Sequence, residues 1–266
     1  KHFRNIYMKK VLIIGYGDIG QRISTLLPEH QTIGVSRNNN IQNNNAIWRQ
    51  WDWFSGRPLE LSSVDISTVV VIIKPISFDL KGYQTGYLTA AESIMKNLNQ
   101  YLDYQQLVVV SSTRVYGDQN GREITETAMP LPADFRGDII LEYEEMMQAQ
   151  SQVEPLILRP SGLYDPQQKW MQRFISSFDG KQHPLISKES NRFNRDMLAT
   201  IISNYITQIE LAELSGIFIC SEPAKSFLEI FAEQYPDKRF KDFFVSSDHL
   251  GKSFDCHKLI DSGLMG

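Results

Sequence analysis

The chain has 266 residues, 42% of them hydrophobic and 22% charged, an ordinary mix for a globular protein with a full core. A formal net charge of −4 and a pI near 5.8 argue against a nucleic-acid partner, which would call for a basic stripe. Cys220 and Cys256 lie far apart without a Cys-x-x-Cys pair, and the histidines at 2, 30, 183, 249 and 257 form no triad or metal spacing, so neither a disulfide framework nor a metal site is expected.

No run approaches the roughly 18 apolar residues of a membrane span, and Lys1 to Tyr7 lack the apolar core of a signal peptide. Met8-Lys9-Lys10 reads as a natural start, with residues 1–7 as an extension. A cytoplasmic protein is the expectation.

In chain order, Val11 to Ile14 is a short apolar run ending in Gly15, as a buried parallel strand would. Ile19 to Leu27 reads as a helix stopped by Pro28, and Thr32 to Val35 as a second strand. The Asn-rich stretch Asn38 to Asn45 is a loop, and Ala46 to Trp48 a short third strand. Val69 to Ile73, five β-branched residues in succession, is the strongest strand signal in the chain. A helix follows from about Tyr87 to Leu102, with Ala90, Ile94, Leu98 and Tyr101 at helical spacing. Leu107 to Val110 is the next strand, then a helix near Gly137 to Gln150 and a strand from Pro155 to Leu158. This alternation implies a doubly wound α/β fold: a parallel Rossmann sheet over residues 1–165. Beyond it the pattern weakens. Trp170 to Phe178 and Met197 to Ile209 read as helices, Gly216 to Cys220 as a strand and Lys225 to Tyr235 as a helix. Residues 166–266 are expected to form a smaller mixed substrate lobe that partly returns to the sheet.

Gly15-Tyr16-Gly17-Asp18-Ile19-Gly20 matches G-x-G-x-x-G, and it follows a strand and opens a helix, the context the dinucleotide fingerprint requires. Gly15 permits the tight turn, Gly17 lets the backbone approach a pyrophosphate, and Gly20 lets the helix pack on the strand. Asp18 and Ile19 then lie at the helix N-terminus, where the pyrophosphate is held by free N–H groups. About twenty residues on, an NAD site would place an acid on the ribose hydroxyls. This chain has Ser36-Arg37 there, and an arginine pairs with a 2′-phosphate, so NADP is favoured over NAD. Asp52, between Trp51 and Trp53, either caps a turn or contacts the adenine.

The glycine loop, Val109-Val110-Ser111-Ser112-Thr113-Arg114-Val115-Tyr116-Gly117 and Leu158-Arg159-Pro160-Ser161-Gly162-Leu163-Tyr164 together resemble the extended short-chain dehydrogenase/reductases, the NAD-dependent epimerase/dehydratase family. The resemblance covers nearly the whole chain. It implies that Ser112, three residues before Val115, is the catalytic Ser, with Ser111 and Pro160 beside the nicotinamide and Asp52 near the adenine. It implies a substrate held by the C-terminal lobe, often a nucleotide sugar, with Tyr116 either facing it or merely packing. Members often pair through a four-helix interface, which the apolar stripe on the 87–102 helix permits.

One part of the family pattern is missing. Its chemistry needs Tyr and Lys at Y-x-x-x-K, one helical turn apart, the Lys lowering the pKa of the Tyr. None of the 11 tyrosines has Lys four residues later. Alignment on the helix after the Ser strand puts Arg136 and Ile140 at those positions, and Tyr143, two turns along, is followed by Met147. Tyr143 reads as packing or surface. The pattern looks like the family's atypical branch.

Among other candidates, Glu123, Glu126 and Asp134 read as a solvated acidic loop, with Glu126 an alternative proton-transfer group. Arg192 and Arg195 precede Asp196; an Arg there either holds a substrate phosphate or pairs beside an Asp196 cap. Two functions are expected. One is a weak or unusual NADP-dependent oxidoreductase or epimerase, with Ser112 orienting the substrate oxygen and Arg136 as electrostatic stabiliser. The other is a non-catalytic NADP-binding sensor or partner protein.

Overall fold

Seven short apolar segments form one parallel sheet, since strands buried on both faces need no polar side. The structure, a computed structural model, describes residues 10–29, 31–38, 45–61, 65–119, 121–167, 189–236 and 251–266. The strands are β1 (Lys10–Ile14), β2 (Thr32–Ser36), β3 (Ala46–Gln50), β4 (Ile66–Val71), β5 (Gln106–Val110), β7 (Leu156–Pro160) and β11 (Gly216–Cys220). Their order across the sheet is β3-β2-β1-β4-β5-β7-β11, and every neighbouring pair is parallel. The order reverses between β1 and β4, and that switch point opens a crevice at the carboxyl ends of the strands.

On one face α1 (Asp18–Leu26) packs beside α5 (Arg195–Thr207). On the other lie α2 (Leu80–Tyr83), a π-helical segment (Gln84–Thr89), α3 (Ala90–Tyr101) and α4 (Phe135–Gln150). The expected helix over 87–102 therefore starts earlier, because Asp79 caps α2 by accepting from the Gly82 N–H at 2.7 Å. Its stripe, Ala90, Ile94 and Leu98, is fully buried in the core formed with β4 and β5, which removes it as a free face for a partner; Tyr101 alone remains half exposed.

Short strands decorate the carboxyl edge: β6 (Glu123–Ile124), β8 (Gly162–Tyr164), β9 (Glu189–Ser190), β10 (Arg192–Asn194), β12 (Lys225–Ser226) and β13 (Ser253–Phe254). Two more helices, α6 (Phe227–Gln234) and α7 (His257–Asp261), complete the described elements. Residues from Phe193 to Leu264 share one core with Val11, Ile13 and Ile23, so the return to the sheet involves α5, β11 and α7. The helix expected over Trp170 to Phe178, residues 1–7 and most of the Asn-rich loop lie outside the described residues. Among the described residues no helix is long and apolar enough to cross a membrane, and no cluster of potential metal ligands occurs.

Candidate active site

The turn after β1 is built by steric exclusion. Gly15 has φ +85°, and a Cβ there would stand 1.9 Å from the Ile72 carbonyl oxygen, so only glycine closes the turn. The N–H groups of Gly15 and Tyr16 both donate to the Val35 carbonyl, at 3.0 and 2.9 Å. A Cβ at Gly20 would meet the Tyr16 ring at 3.0 Å and Ile13 at 3.1 Å, which is the close helix–strand packing expected of it. Gly17 differs: its nearest neighbour would be the Gly15 carbonyl oxygen at 3.8 Å. The protein itself leaves that space open.

The space lies over a helix start with no protein cap. Side chains of Asp134, Asn194 and Ser226 accept N–H groups at the starts of α4, α5 and α6, but none does so for α1. Unpaired first-turn N–H groups and the helix dipole make an anion site. Asp18 would oppose an anion, yet its carboxylate is paired with Arg22 at 3.0 Å and Arg195 at 3.1 Å. Arg22 also reaches Asp165 at 2.7 Å and Asp196 at 2.5 Å, tying α1 to the segment after β8 and to α5. The backbone N–H of Gln167, and then Arg22, hold Asp165 below the usual carboxylate range. These residues fit a dinucleotide pyrophosphate.

At the ends of β2 and β3, Ser36 accepts from Trp48 Nε1 at 2.9 Å and donates to the Asn38 carbonyl at 2.8 Å. The Arg37 guanidinium stacks over Trp53 and Phe54, 5.3 and 5.0 Å from the ring centroids. Asp52 caps a turn by accepting from the Phe54 N–H at 3.1 Å, and it remains exposed.

A cavity of about 730 Å³ opens at the carboxyl ends of β4, β5 and β7. Ser111, Ser112 and Pro160 all line it, so the structure brings these three expected residues together. The two serines have different environments. Ser111 donates to Glu144 and is locked. Ser112 accepts from the Arg114 N–H at 3.2 Å, opening a 3-10 turn over Thr113–Tyr116, and keeps its own proton for a ligand oxygen. Beneath them Arg159 and Glu144, each 2% exposed, form a two-point pair at 2.9 and 2.5 Å, and Arg159 also donates to the Tyr116 hydroxyl at 2.7 Å. Burial works against the Arg159 charge, and the Glu144 hydrogen bonds and charge outweigh it, raising its pKa.

Other expected residues lie elsewhere. Arg136 stacks on Phe135, stands 3.9 Å from Asp134 and does not line the cavity. Ile140 is buried among Tyr83, Val115 and Ile219, and Tyr143 is wholly buried. Tyr116 is also wholly buried, so it packs and does not face the cavity. Glu126 accepts from the Ile219 N–H at 2.9 Å, so it completes the edge strand β11 and is not a free acid on a solvated loop. Arg195, with Arg192, lines an adjoining cavity of about 310 Å³.

The sequence reading missed Lys74, Tyr87, Arg114 and Lys252, all of which line the larger cavity. Lys252 donates to the Gly117 carbonyl, and β13 beside it pairs with β6. No local motif announces a residue delivered from 135 positions away.

No family model matches the sequence, and no curated protein sequence matches it either. Solved structures do match in fold. A protein from Methylobacillus flagellatus described as an NAD-dependent epimerase/dehydratase is 22% identical, with TM-score 0.74 over 96% of this chain and 92% of its own. The UDP-glucuronic acid 4-epimerase from Bacillus cereus, solved with NAD, is 18% identical, with TM-score 0.72 over 94% and 90%. A conserved protein of unknown function from Silicibacter pomeroyi is 17% identical, with TM-score 0.69 over 96% and 92%. The chain has the fold of these epimerase/dehydratase structures.

Proposed function

We propose that this protein is an atypical member of the epimerase/dehydratase family, an NADP-dependent oxidoreductase or epimerase acting on a nucleotide sugar or another small carbonyl or alcohol. The observation that carries the reading is an uncapped α1 start, open at Gly17, whose turn abuts Ile72 on the wall of the cavity that Ser112 lines. A bound nicotinamide would supply or accept hydride in the larger cavity. Gly15, Gly17, Asp18, Ile19 and Gly20 would hold the pyrophosphate, and Ser111 and Pro160 would flank the nicotinamide. Ser112 would orient the substrate oxygen. Arg195, in the adjoining cavity, would bind substrate phosphate, in keeping with the nucleotide sugars bound by the Bacillus cereus enzyme.

The NADP preference rests on Arg37. Its guanidinium is fixed by two aromatic rings at the tip of β2, with its edge available to a 2′-phosphate. The Bacillus cereus enzyme was solved with NAD, so the NADP reading rests on Arg37 alone.

Calorimetric titration with NADP⁺ and NAD⁺ is the test. Tighter NADP⁺ binding that falls about tenfold or more in Arg37→Ala, with NAD⁺ affinity unchanged, is the expected result, since a charge-assisted contact contributes about 1.5–3 kcal/mol. Equal affinities for both, unaffected by the substitution, would remove the preference. Turnover of NADPH with nucleotide sugars and simple carbonyls should fall about 10²-fold in Ser112→Ala. Tight binding with no turnover by the unaltered protein would favour the sensor reading.

A further inference from the structure

The α4 positions aligned with the missing Tyr and Lys offer no proton donor: Arg136 lies off the cavity and Ile140 is packed in the core. Yet the cavity holds a phenol from a different helix. Tyr87 lines it together with Ser112 and Arg114.

Several observations fix Tyr87 in place. It sits in the π-helical segment Gln84–Thr89, an irregularity often found at functional sites. That segment is pressed against the chain leaving β4. A Cβ at Gly86 would stand 2.5 Å from Pro75 Cα and 2.6 Å from the Lys74 carbonyl oxygen, and one at Gly82 would stand 2.0 Å from Ser77 Oγ. The two glycines therefore let the helix touch the strand end that walls the cavity. The Tyr87 ring is clamped between Tyr83 and Tyr143, at centroid distances of 5.8 and 5.3 Å. Of these three phenols, only Tyr87 lines the cavity.

We propose that Tyr87 is the proton-donating residue of this site, with Arg114, which lines the same cavity, as its cation, so that the phenol and its cation come from the π-helical segment and the 3-10 turn instead of from α4. The proposal rests on the oxidoreductase reading above. A bound reduced nicotinamide would supply hydride to the carbon of a substrate carbonyl, and Tyr87 would give its phenolic proton to the carbonyl oxygen. The phenolic O–H bond breaks, and the C–H and O–H bonds of the product alcohol form. The carbonyl is reduced, the dinucleotide is oxidised, and water returns a proton to the phenolate. Burial pushes the Tyr87 phenol up to about 12, Tyr83 pushes the same way, and Arg114 opposes them. The phenol thus keeps its proton at neutral pH until a developing alkoxide takes it, and Arg114 stabilises the phenolate left behind. Lys74, Asp118, Asp134 and Lys252 also line the cavity; Lys252 is engaged with the Gly117 carbonyl, and Asp134 with the start of α4 and, at 3.3 Å, with Arg114 itself.

The test compares Tyr87→Phe with the unaltered protein, since phenylalanine keeps the ring stack. Tyr87→Phe should melt with the parent and bind NADPH equally, while kcat for NADPH oxidation over a carbonyl panel falls about 10²–10⁴-fold. Independently of turnover, the Tyr87 signal in protein carrying ¹³Cζ-tyrosine, assigned by its loss in Tyr87→Phe, should move when NADP⁺ and UDP-glucuronic acid are added. Its alkaline midpoint should rise in Arg114→Gln, with Tyr83 and Tyr143 as the other titratable groups against the ring. Undiminished kcat in Tyr87→Phe, a Tyr87 signal blind to the ligands, or an unchanged midpoint in Arg114→Gln would overturn the assignment alone. Absence of turnover by the unaltered protein across the panel would overturn the oxidoreductase reading and this proposal with it.

Discussion

The starts of α1 and α4 are both helix N-termini at the carboxyl edge of the same parallel sheet, and they are closed in opposite ways. At α4, Asp134 accepts the N–H groups of Arg136 and Gly137 at 3.0 and 3.2 Å, so the helix end is satisfied by the chain itself. At α1 no side chain does this, and Gly17 leaves the approach clear. A helix start that is left open can serve a ligand; one that is capped serves the fold. The side chains of α4 follow the same division. Glu144 holds Arg159 and Ser111, Tyr143 and Ile140 fill the core, and Arg136 does not line the cavity. In this chain α4 is scaffold, where the family pattern would make it catalytic.

The largest expected effect strikes that scaffold. Arg159→Met leaves Glu144 charged and buried without its partner, and such losses cost about 3–5 kcal/mol. Urea denaturation should register a drop of that size. Replacing both partners with apolar residues should recover much of it, because no charge is then stranded. If the single substitution is mild, α4 does not anchor the floor of the cavity in the manner described.

The glycines of the α1 turn separate fold from ligand. Gly15→Ala forces a side chain into positive φ and against the Ile72 carbonyl, a loss of about 3 kcal/mol from backbone strain and overpacking together. Gly17→Ala meets nothing closer than 3.8 Å, so the melting temperature should hold while dinucleotide affinity falls. Equal destabilisation by the two would mean that Gly17 serves the turn and not a ligand.

At the other helix start, Asp134→Ala should cost about 1 kcal/mol, the usual worth of a capping residue, measured as a lower urea midpoint with an unchanged slope. Because the Asp134 carboxylate also lies 3.3 Å from Arg114, the loss should shrink in an Arg114→Gln background. Asp134 lines the larger cavity, but the open start of α1 is what would hold the pyrophosphate, so dinucleotide affinity should change far less than in Gly17→Ala. A comparable loss of NADP⁺ affinity in Asp134→Ala would blur the distinction between the two starts.

The α1 turn was legible in the sequence because its requirements are local and steric: three glycines, a strand before and a helix after. The sheet was legible for a related reason, since an apolar run such as Val69 to Ile73 calls for burial; Val69 to Val71 are fully buried in β4, while Ile72 and Ile73 leave the strand and line the cavity. Ser112 was reached through a motif of neighbours. Tyr87 was not, because along the helix it reads as one more aromatic in an apolar stripe, and only the π-helical segment and the neighbouring strand end bring it to the cavity. Lys252 and the Glu144–Arg159 pair depend on contacts between residues far apart in sequence, which no spacing rule encodes. Arg136 was misplaced for the converse reason. Its sequence position matches the family tyrosine, but its guanidinium stacks on Phe135 and does not line the cavity.

The smallest expected effect concerns a third helix start, where a titratable pair flanks the first residue. Asp255 accepts the His257 N–H at 2.9 Å at the beginning of α7 and stands 2.5 Å from the His257 ring nitrogen. The hydrogen bond to Asp255, then its charge, raises the His257 pKa; the backbone and side-chain hydrogen bonds of His257 lower that of Asp255. A raised histidine stabilises the fold below its ordinary value near 6.5, and that contribution fades as pH rises through the folded value. The lowered aspartate contributes above its ordinary value near 3.9 and fades as pH falls. The pair therefore works best between those limits. In His257→Gln the melting temperature should drop slightly below the parent at about pH 5.5, and the difference should shrink toward about pH 8.5 as the histidine loses its charge. The side chain is exposed, so salt should weaken the difference at the lower pH. An offset that stays the same at both pH values would show that the start of α7 is held by geometry alone and not by the histidine charge.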